Sequence, residues 1–441
     1  MNKNQFGFRR GHSTSHALNY SVNHIHKALH KKQHVLGIFI DLSKAFDTID
    51  HKKLLFKLER YGIRGNAHKL LTSYLTNRKQ YTSVLGEKSD ELLIEYGVPQ
   101  GSVLGPLLFL IYVNDITNCS GIGEFVTFAD DTNIFVQGKN RNAVFESANK
   151  ILDSIYMYMR ANKLHINLKK CCYIHFEPNQ KVFASATENH VLRINGTEIN
   201  EVNETKFLGV VIDKSLSWHP HIEHLKKKLK CNSGMLNRIK DQIPTSHHKT
   251  LYHTLFESDL AYGITVWGGL SHNQLKPIFT TQKMCIRIMF GDKEAYLNKF
   301  KTCVRSRSVN EQKLGSEFYT KEHSKPLFNE HAIFVVQNLY YYHSVLSLFK
   351  ILKSHTPISL YSCFTKSQRK ETLLITPQYS HHFVYKATSL WNEVRTTENF
   401  SLVHDYSAGL SKVKAAMRVL LHQRQKLGDQ NEWSNENFLL S

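Results

Sequence analysis

The stretch EFVTFADDTNIFVQ, Glu124 to Gln137, sets an apolar run on either side of two adjacent carboxylates, Asp130 and Asp131, and holds no Lys or Arg to neutralise them. Two short strands joined through the acidic pair account for such a pattern. Successive strand residues point to opposite faces, so only one aspartate of the pair is expected to face a given site fully. Carboxylates left without a counter-charge repel, and their pKa values rise. A solvated turn is the plain reading of an isolated Asp-Asp pair, and the choice between the two rests on its company.

A third carboxylate is part of that company. VLGIFI, residues 35 to 40, reads as a short buried strand ending at Asp41. Two carboxylates at one turn and a third at another strand end form the oxygen-rich cluster that hard divalent cations seek. Two Mg²⁺ ions about 4 Å apart in such a cluster can bind the attacking and leaving oxygens of a phosphoryl transfer.

Helices and strands alternate around these elements. Leu18, Val22, Ile25 and Leu29 recur at helical spacing, and HKKLLFKLERYG (51 to 62) is an amphipathic helix stopped at Gly62. Another helix is expected over about 67 to 75, followed by QYTSVL and ELLIEYG as a β-hairpin turning at GEKSD. GVPQGSVLGP (97 to 106) is a break before the buried helix LLFLIYVNDI. A long helix is expected from about Arg141 to Ala161, then HINLKKCCYIHF (165 to 176) as a strand, a polar loop over 177 to 190, and strands around VLRING and KFLGVVID. Together these predict an α+β sheet domain. Beyond Trp218, Lys-rich helices to about residue 290 predict a basic helical domain.

A chain of 441 residues, 41% apolar and 11% aromatic, can fill two or three domain cores. Its 57 Lys and Arg against 37 Asp and Glu leave a formal charge of +20, which points to a polyanionic partner, nucleic acid first and an anionic membrane surface second. No apolar run approaches the roughly 18 residues that span a bilayer. MNKNQFGFRRGHSTS lacks the apolar core of a signal peptide, and the seven cysteines show no disulfide-like or zinc-like spacing, so a reducing intracellular setting follows. Cys171 and Cys172 read as ordinary strand residues. His219, His221 and His224 invite a zinc reading, but no Cys or carboxylate is spaced to complete a tetrahedral site.

FIDLSKAFDTID (39 to 50), GVPQGSVLGP (97 to 106), FADD (128 to 131), INLKK (166 to 170) and KFLGVVID (206 to 213) occur in that order, preceded by QFGFRRGHST (5 to 14). They resemble the reverse transcriptase of non-LTR retrotransposons, the LINE class, most like its jockey and CR1 branches. The resemblance runs on through LYHTLFESDLAYGITVWGG to KATSLWNEV, almost the whole chain. It implies an α+β right-hand polymerase: partial fingers and an entry helix over 1–34, an antiparallel palm with helices over 35–213, a helical thumb over 214–298, a linker over 299–326 and a mixed C-terminal region over 327–441. It implies an RNA-directed DNA polymerase acting on an RNA template, a DNA primer and dNTPs, with no membrane partner.

Position by position, the resemblance implies that Asp41, Asp130 and Asp131 hold two Mg²⁺ ions, with Mn²⁺ as a substitute and the main-chain carbonyl of Leu42 as a further ligand. Phe46 falls where the family has an aromatic steric gate, which selects deoxynucleotides by excluding a ribose 2′-OH, and Asp47 is typical of the family. Gln100 and Gly101 fall against the template and incoming nucleotide, where Pro99 fixes the backbone and Gly97 and Gly101 allow close approach. Lys170 aligns with a lysine near the triphosphate, able to protonate the pyrophosphate leaving group, and Lys169 beside it is the competing choice. Arg9 and Arg10 approach phosphates, and Arg78 contacts primer or template. Phe207, Leu208 and Gly209 resemble the primer grip. Lys226, Lys227, Lys228 and Lys230, with Arg238 and Lys240, give the thumb a basic face whose phosphate contacts weaken with salt.

The chain also departs from that pattern. Tyr158 stands where relatives commonly carry Trp, and Cys171 where Thr is usual. Because the chain opens at QFGFRRGHST, earlier fingers strands and an upstream endonuclease are expected to be missing, as is a Cys-rich knuckle at the C-terminus. One edge of the palm sheet is then expected to lie uncovered, and polymerase activity to be weak or lost. A catalytically inactive nucleic-acid-binding remnant is the alternative function. A group II intron-like maturase is a third, and it lacks a recognisable splicing or HNH region. An RNA template implies a cytoplasmic location, and insertion a nuclear one.

Overall fold

The computed structural model describes residues 1–178, 190–291, 324–364, 374, 383–396 and 410–427. The chain divides into two compact units, Met1–Leu208 with Asp213–Ser215 and Pro357–Ser359, and Gly209–Ile212 with Leu216–Thr356 and Leu360–Ser441. Residues 179–189 of the expected polar loop and 299–323 of the expected linker lie outside the described residues.

The first unit opens with α1 (Thr14–His30), whose Ser13 cap accepts from the His16 N–H and whose Leu18, Val22 and Ile25 are buried. Strand β1 (His34–Ile40) follows, buried from Val35 onward. Helix α2 (His51–Arg60) is capped by Asp50, which accepts from the Lys53 N–H, and the chain leaves it through Gly62 at φ 91°. After α3 (Gly65–Leu75) come four two-residue strands, β2 (Lys79–Gln80), β3 (Ser83–Val84), β4 (Glu87–Lys88) and β5 (Leu92–Leu93). They pair β3 with β4 and β2 with β5. The turn of this hairpin is Leu85–Gly86, with φ of 51° and 93°, and not GEKSD as expected. A two-residue turn that matches strand twist needs two left-handed residues, and Gly86 supplies the second without strain.

Helix α4 (Leu104–Val113) starts three residues before the expected LLFLIY run, because Gly105 and Pro106 fall in its first turn, where a missing N–H is tolerated. Strands β6 (Glu124–Phe128) and β7 (Asp131–Gly138) lead to α5 (Arg141–Ala161), capped by Asn140. Strand β8 is only Cys172–Phe176, so the expected strand from His165 is corrected. Residues 165–171 form a loop instead, in which the Lys170 and Cys171 N–H groups both turn back onto the Asn167 carbonyl. Cys171 is therefore buried just ahead of the strand, and Cys172 lies within it; both are free thiols. Strands β9 (Arg193–Ile194), β10 (Thr197–Glu198) and β11 (Asn200–Glu201) follow, and Glu204–Phe207 pairs with Val210–Asp213.

The sheet order is β11-β8-β1-β7-β6, antiparallel except for β11 on β8. Both faces of β1 are covered, by α1 and α5. Leu36, Ile38 and Ile40 share one core with Ile151 and Ile155 of α5, whereas Phe39, out of phase with them, meets Phe135 and Phe207. Along the β6 edge the sheet is continued by residues 4–6. Gln5 bridges Thr127 in parallel, the Phe6 N–H donates to the Thr127 carbonyl at 2.8 Å, and the Thr127 N–H donates to the Asn4 carbonyl at 3.0 Å. Backbone groups left at a sheet edge need partners, and residues 4–6 provide them.

From His219 to Phe290 the second unit is mainly helical, as the Lys-rich periodicity predicts, and further helices, beyond that expectation, follow from Lys325. His219–Ile239 packs on His272–Phe290, and Val336–Ser354 packs on Phe383–Thr396 and Leu410–Leu427. A single π-helical stretch, Tyr252–Glu257, interrupts LYHTLFESDLAYG. Among the described residues no helix is long and apolar enough to cross a membrane.

Candidate active site

Strand register assembles the acidic cluster. Ile40 pairs with Thr132, so Asp41, one residue further along, comes beside Asp131, the first residue of β7. Phe39 pairs with Cys172 on the other side, which carries Lys170 alongside Asp41, its Nζ 3.7 Å from Asp41 Oδ2. Phe128 pairs with Asp131, so β6 and β7 are joined by the two-residue turn Ala129–Asp130. Asp130 thus belongs to a turn, and the strand alternation expected to send one of the pair away does not govern it. Ala129 takes φ 56°, a left-handed conformation that costs a non-glycine residue about 1–2 kcal/mol.

Asp131 carries the electrostatic load. Withdrawal from water, and then the charges of Asp130 and Asp41, push its carboxyl up to about 6. Asp41 has better company. Asn167 donates its Nδ2–H to Asp41 Oδ2 at 3.1 Å and its backbone N–H to the Asp41 carbonyl at 2.9 Å. Asn167 lies inside HINLKK, whose alternation predicts a strand and gives Asn167 no role of its own. The signal available was the Lys169–Lys170 pair, which breaks that alternation. Leu42 faces Ile166 in a bridge closed by the Asn167 N–H to Asp41 and the Ser43 N–H to His165, an arrangement that leaves the Leu42 carbonyl outside the ladder.

The FDTID and GVPQG segments are bound to each other. The Gly97 N–H donates to Ile49, the Val98 N–H donates to Phe46, and Gln100 Nε2 donates to Asp47 Oδ1 at 2.9 Å. A Cβ at Gly97, φ 84°, would meet the Asp47 backbone at 2.9 Å, whereas one at Gly101 would meet open space. Phe46 is half-buried, stacked on Phe109 with ring centroids 4.3 Å apart. Arg9 is occupied by the Asn2 and Gln5 carbonyls, Arg10 is exposed, and Arg78 lies over the Tyr74 ring. Tyr158 donates to Asp115 Oδ1 at 2.7 Å beside Lys57, which pairs with the same oxygen.

Phe207 is buried in the first unit, and the turn Leu208–Gly209 takes φ of 45° and 84°. In the second unit, Lys226 pairs with Glu223 and Lys228 with Asp259, while Lys227 and Lys230 are exposed, as is Lys169 in the first unit. Lys240 lies 3.9 Å from Asp241. His221 is buried against Trp267, accepts from the Val211 N–H at Nδ1, and has its pKa driven down to about 4 by desolvation and then by His224.

Carboxylate oxygens are hard donors, and a divalent cation among these three would relieve the repulsion that raises Asp131, so the donor set suits Mg²⁺ or Mn²⁺. Among the described residues no group of three or more His, Cys, Asp or Glu is gathered closely enough to hold a metal as it stands. Like charges without a counter-ion stay apart.

Residues 1–212 match the family described as reverse transcriptase (RNA-dependent DNA polymerase). The chain is 28% identical over 300 residues to the RNA-directed DNA polymerase from mobile element jockey of Drosophila melanogaster, covering 66% of this chain and 32% of that protein. It is 27% identical over 299 residues to the probable RNA-directed DNA polymerase from transposon X-element of the same organism, with the same coverage. It spans about a third of the length of these curated relatives. Among solved structures it is similar to apo telomerase from Candida tropicalis, at 11% identity and a TM-score of 0.36 over 79% of this chain and 57% of that one. Residues 1–212, which hold all three aspartates, match the reverse transcriptase family, and the curated proteins to which the chain is similar include RNA-directed DNA polymerases of mobile elements.

Proposed function

We propose that the chain polymerises DNA on an RNA template, a primer 3′-OH attacking the α-phosphate of a dNTP while pyrophosphate leaves. The observation that carries this reading is the register setting Asp41 beside Asp131, with Asp130 in the adjoining turn, inside a segment that matches the reverse transcriptase family. Asp41, Asp130 and Asp131, with the Leu42 carbonyl, would hold two Mg²⁺ ions, or Mn²⁺ in their place, which activate the 3′-OH and offset phosphate charge.

The protein's own groups do the rest. Phe46, braced by Phe109, lies under the incoming sugar and excludes a 2′-OH. Gln100, steadied by Asp47, and the uncrowded Gly101 lie against the template and nucleotide. Lys170, held near Asp41, donates a proton toward the leaving pyrophosphate. Residues 35–213 act as palm and 214–298 as thumb, with 1–34 as partial fingers. Arg78 and Phe207–Leu208–Gly209 hold primer and template, and Lys226, Lys227 and Lys230 contact phosphates without sequence preference. RNA templating is cytoplasmic work, and insertion of the product is nuclear.

Primer extension on an RNA template with Mg²⁺ and labelled dNTPs tests the proposal. Extension by the wild type that Asp130→Ala and Asp131→Ala both abolish supports it. Equal incorporation by wild type and Asp130→Ala refutes the assigned site. Salt-dependent primer-template binding with no extension leaves the nucleic-acid-binding remnant as the function.

A further inference from the structure

We infer that Gln5 is a positioning residue for Asp130, holding the turn that carries this carboxylate in its metal-accepting conformation. The inference rests on the reading of Asp41, Asp130 and Asp131 as the metal-binding set. Asp130 occupies a two-residue turn whose other member, Ala129, sits at φ 56°, a conformation that alanine does not hold unaided. The hold comes from outside the hairpin. The Ala129 N–H donates to Gln5 Oε1 at 3.1 Å, and the Ala129 carbonyl accepts from Gln5 Nε2 at 3.4 Å. The same Oε1 accepts from the Gly7 N–H at 2.8 Å. Two N–H donors on one side and a carbonyl on the other assign the amide orientation without ambiguity.

Gln5 is only 4% exposed, so water does not compete for these bonds. Its backbone already lies along the β6 edge opposite Thr127, and its side-chain amide extends that ladder past the end of β6, onto the turn. Gly7 completes the clamp. A Cβ there would meet the Ala129 nitrogen at 2.3 Å, a distance that only displacement of the turn could relieve. A neutral amide also suits the place, since a carboxylate would add a further negative charge beside Asp130 and Asp131. Groups that orient a metal ligand from behind set its affinity by about ten- to a hundredfold.

The test uses the full chain, with Mn²⁺ binding read by electron paramagnetic resonance and Mg²⁺-dependent primer extension read in parallel. Gln5→Leu and Gly7→Ala are expected to weaken Mn²⁺ binding and lower kcat, each by about tenfold or more, while the dNTP KM moves less than about threefold. Asn4→Ala is the comparison variant: it removes the bond from Asn4 Nδ2 to Glu124 on the same edge segment but touches nothing at Ala129. It is expected to lower Tm and leave Mn²⁺ affinity and kcat as in wild type. Wild-type Mn²⁺ affinity in Gln5→Leu, or an equal loss in Asn4→Ala, overturns the inference. Should Gln5→Leu not fold, Gly7→Ala carries the same comparison. A wild type that binds Mn²⁺ without extending primers defeats the polymerase reading, and the Mn²⁺ arm still decides the role of Gln5. A wild type that binds no Mn²⁺ overturns both.

Discussion

Strand β1 begins at a histidine network and ends at a cluster of carboxylates, and the pKa values at the two ends are shifted in opposite directions. At the start, His34 Nδ1 lies 3.2 Å from His175 Nε2, and His175 Nδ1 lies 3.2 Å from Glu177 Oε1, with Arg141 3.9 Å from the same carboxylate. A neutral His175 carrying its proton on Nδ1 donates to Glu177 and accepts from His34, so both ring nitrogens are satisfied. Burial, then the charges of Arg141, His34 and His190, hold its pKa down to about 3. At the far end Asp131 faces Asp130 and Asp41, and its pKa is pushed up to about 6. The same strands thus carry a closed network at one end and unsettled charge at the other. Only the second end gains by taking up a cation.

The comparison breaks most visibly through activity. On the proposed reading of the site, Asp41→Ala is expected to lower RNA-templated extension by about a thousandfold or more, since it would remove a ligand of an ion that contributes several kcal/mol to the transition state. His175→Gln at the other end should leave extension within about twofold, because it lies outside the cluster. Next comes Asn167→Ala. Hydrogen bonds to a charged group contribute about 1.5–3 kcal/mol, so a fall in kcat of about ten- to a hundredfold is expected, with Asp41 left to Lys170 alone. A loss in Asn167→Ala smaller than about threefold would mean that Asp41 is held by its strand rather than by the loop.

Stability against pH sharpens the contrast, because the two ends carry opposite signs. His175 binds its proton less tightly in the folded state than in the unfolded chain. Its contribution is therefore present above the ordinary histidine value and is lost as pH falls from about 6.5 toward 3. His175→Gln should flatten this acid limb in urea titrations run at successive pH values. Asp131 binds its proton more tightly in the folded state, so its penalty appears as pH rises from about 4 through 6. Without divalent cations, Asp131→Asn should melt above wild type at pH 7 and lose that gain by pH 4. Solvent screening at this exposed residue keeps the difference to about 1–2 °C. Mg²⁺ should raise the wild-type Tm and leave the variant behind. A gain that persists at pH 4 would place its origin in packing, not charge.

Much of the first unit was legible in the sequence. Strand β1 and helix α5 follow from continuous apolar runs and helical periodicity. Where reading failed, the deciding contact came from a distant segment. HINLKK has the composition of a strand, yet Asn167 turns it into a loop by binding both the backbone and the carboxyl of Asp41. The hairpin turn fell at Leu85–Gly86 because a glycine could accept φ 93°, against the polar composition that favoured GEKSD. Residues 4–6 occupy the β6 edge through backbone bonds that no side-chain pattern announces.

The sequence alone determined the three aspartates, the strand that ends at Asp41, the basic helical second half and the resemblance carried by six ordered motifs. Those properties are local: apolar period, glycine and proline at turns, charge along a segment. The tertiary structure decided that Asp41 stands beside Asp131, that Asn167 and Lys170 share Asp41, and that Gln5 grips the turn bearing Asp130. Such neighbours are set by strand register and by backbone bonds between residues more than 90 positions apart, as Ile40 and Thr132 are. Every residue carries the same backbone donor and acceptor, so which distant pair will bond is written in no side chain and is settled only when the sheet closes.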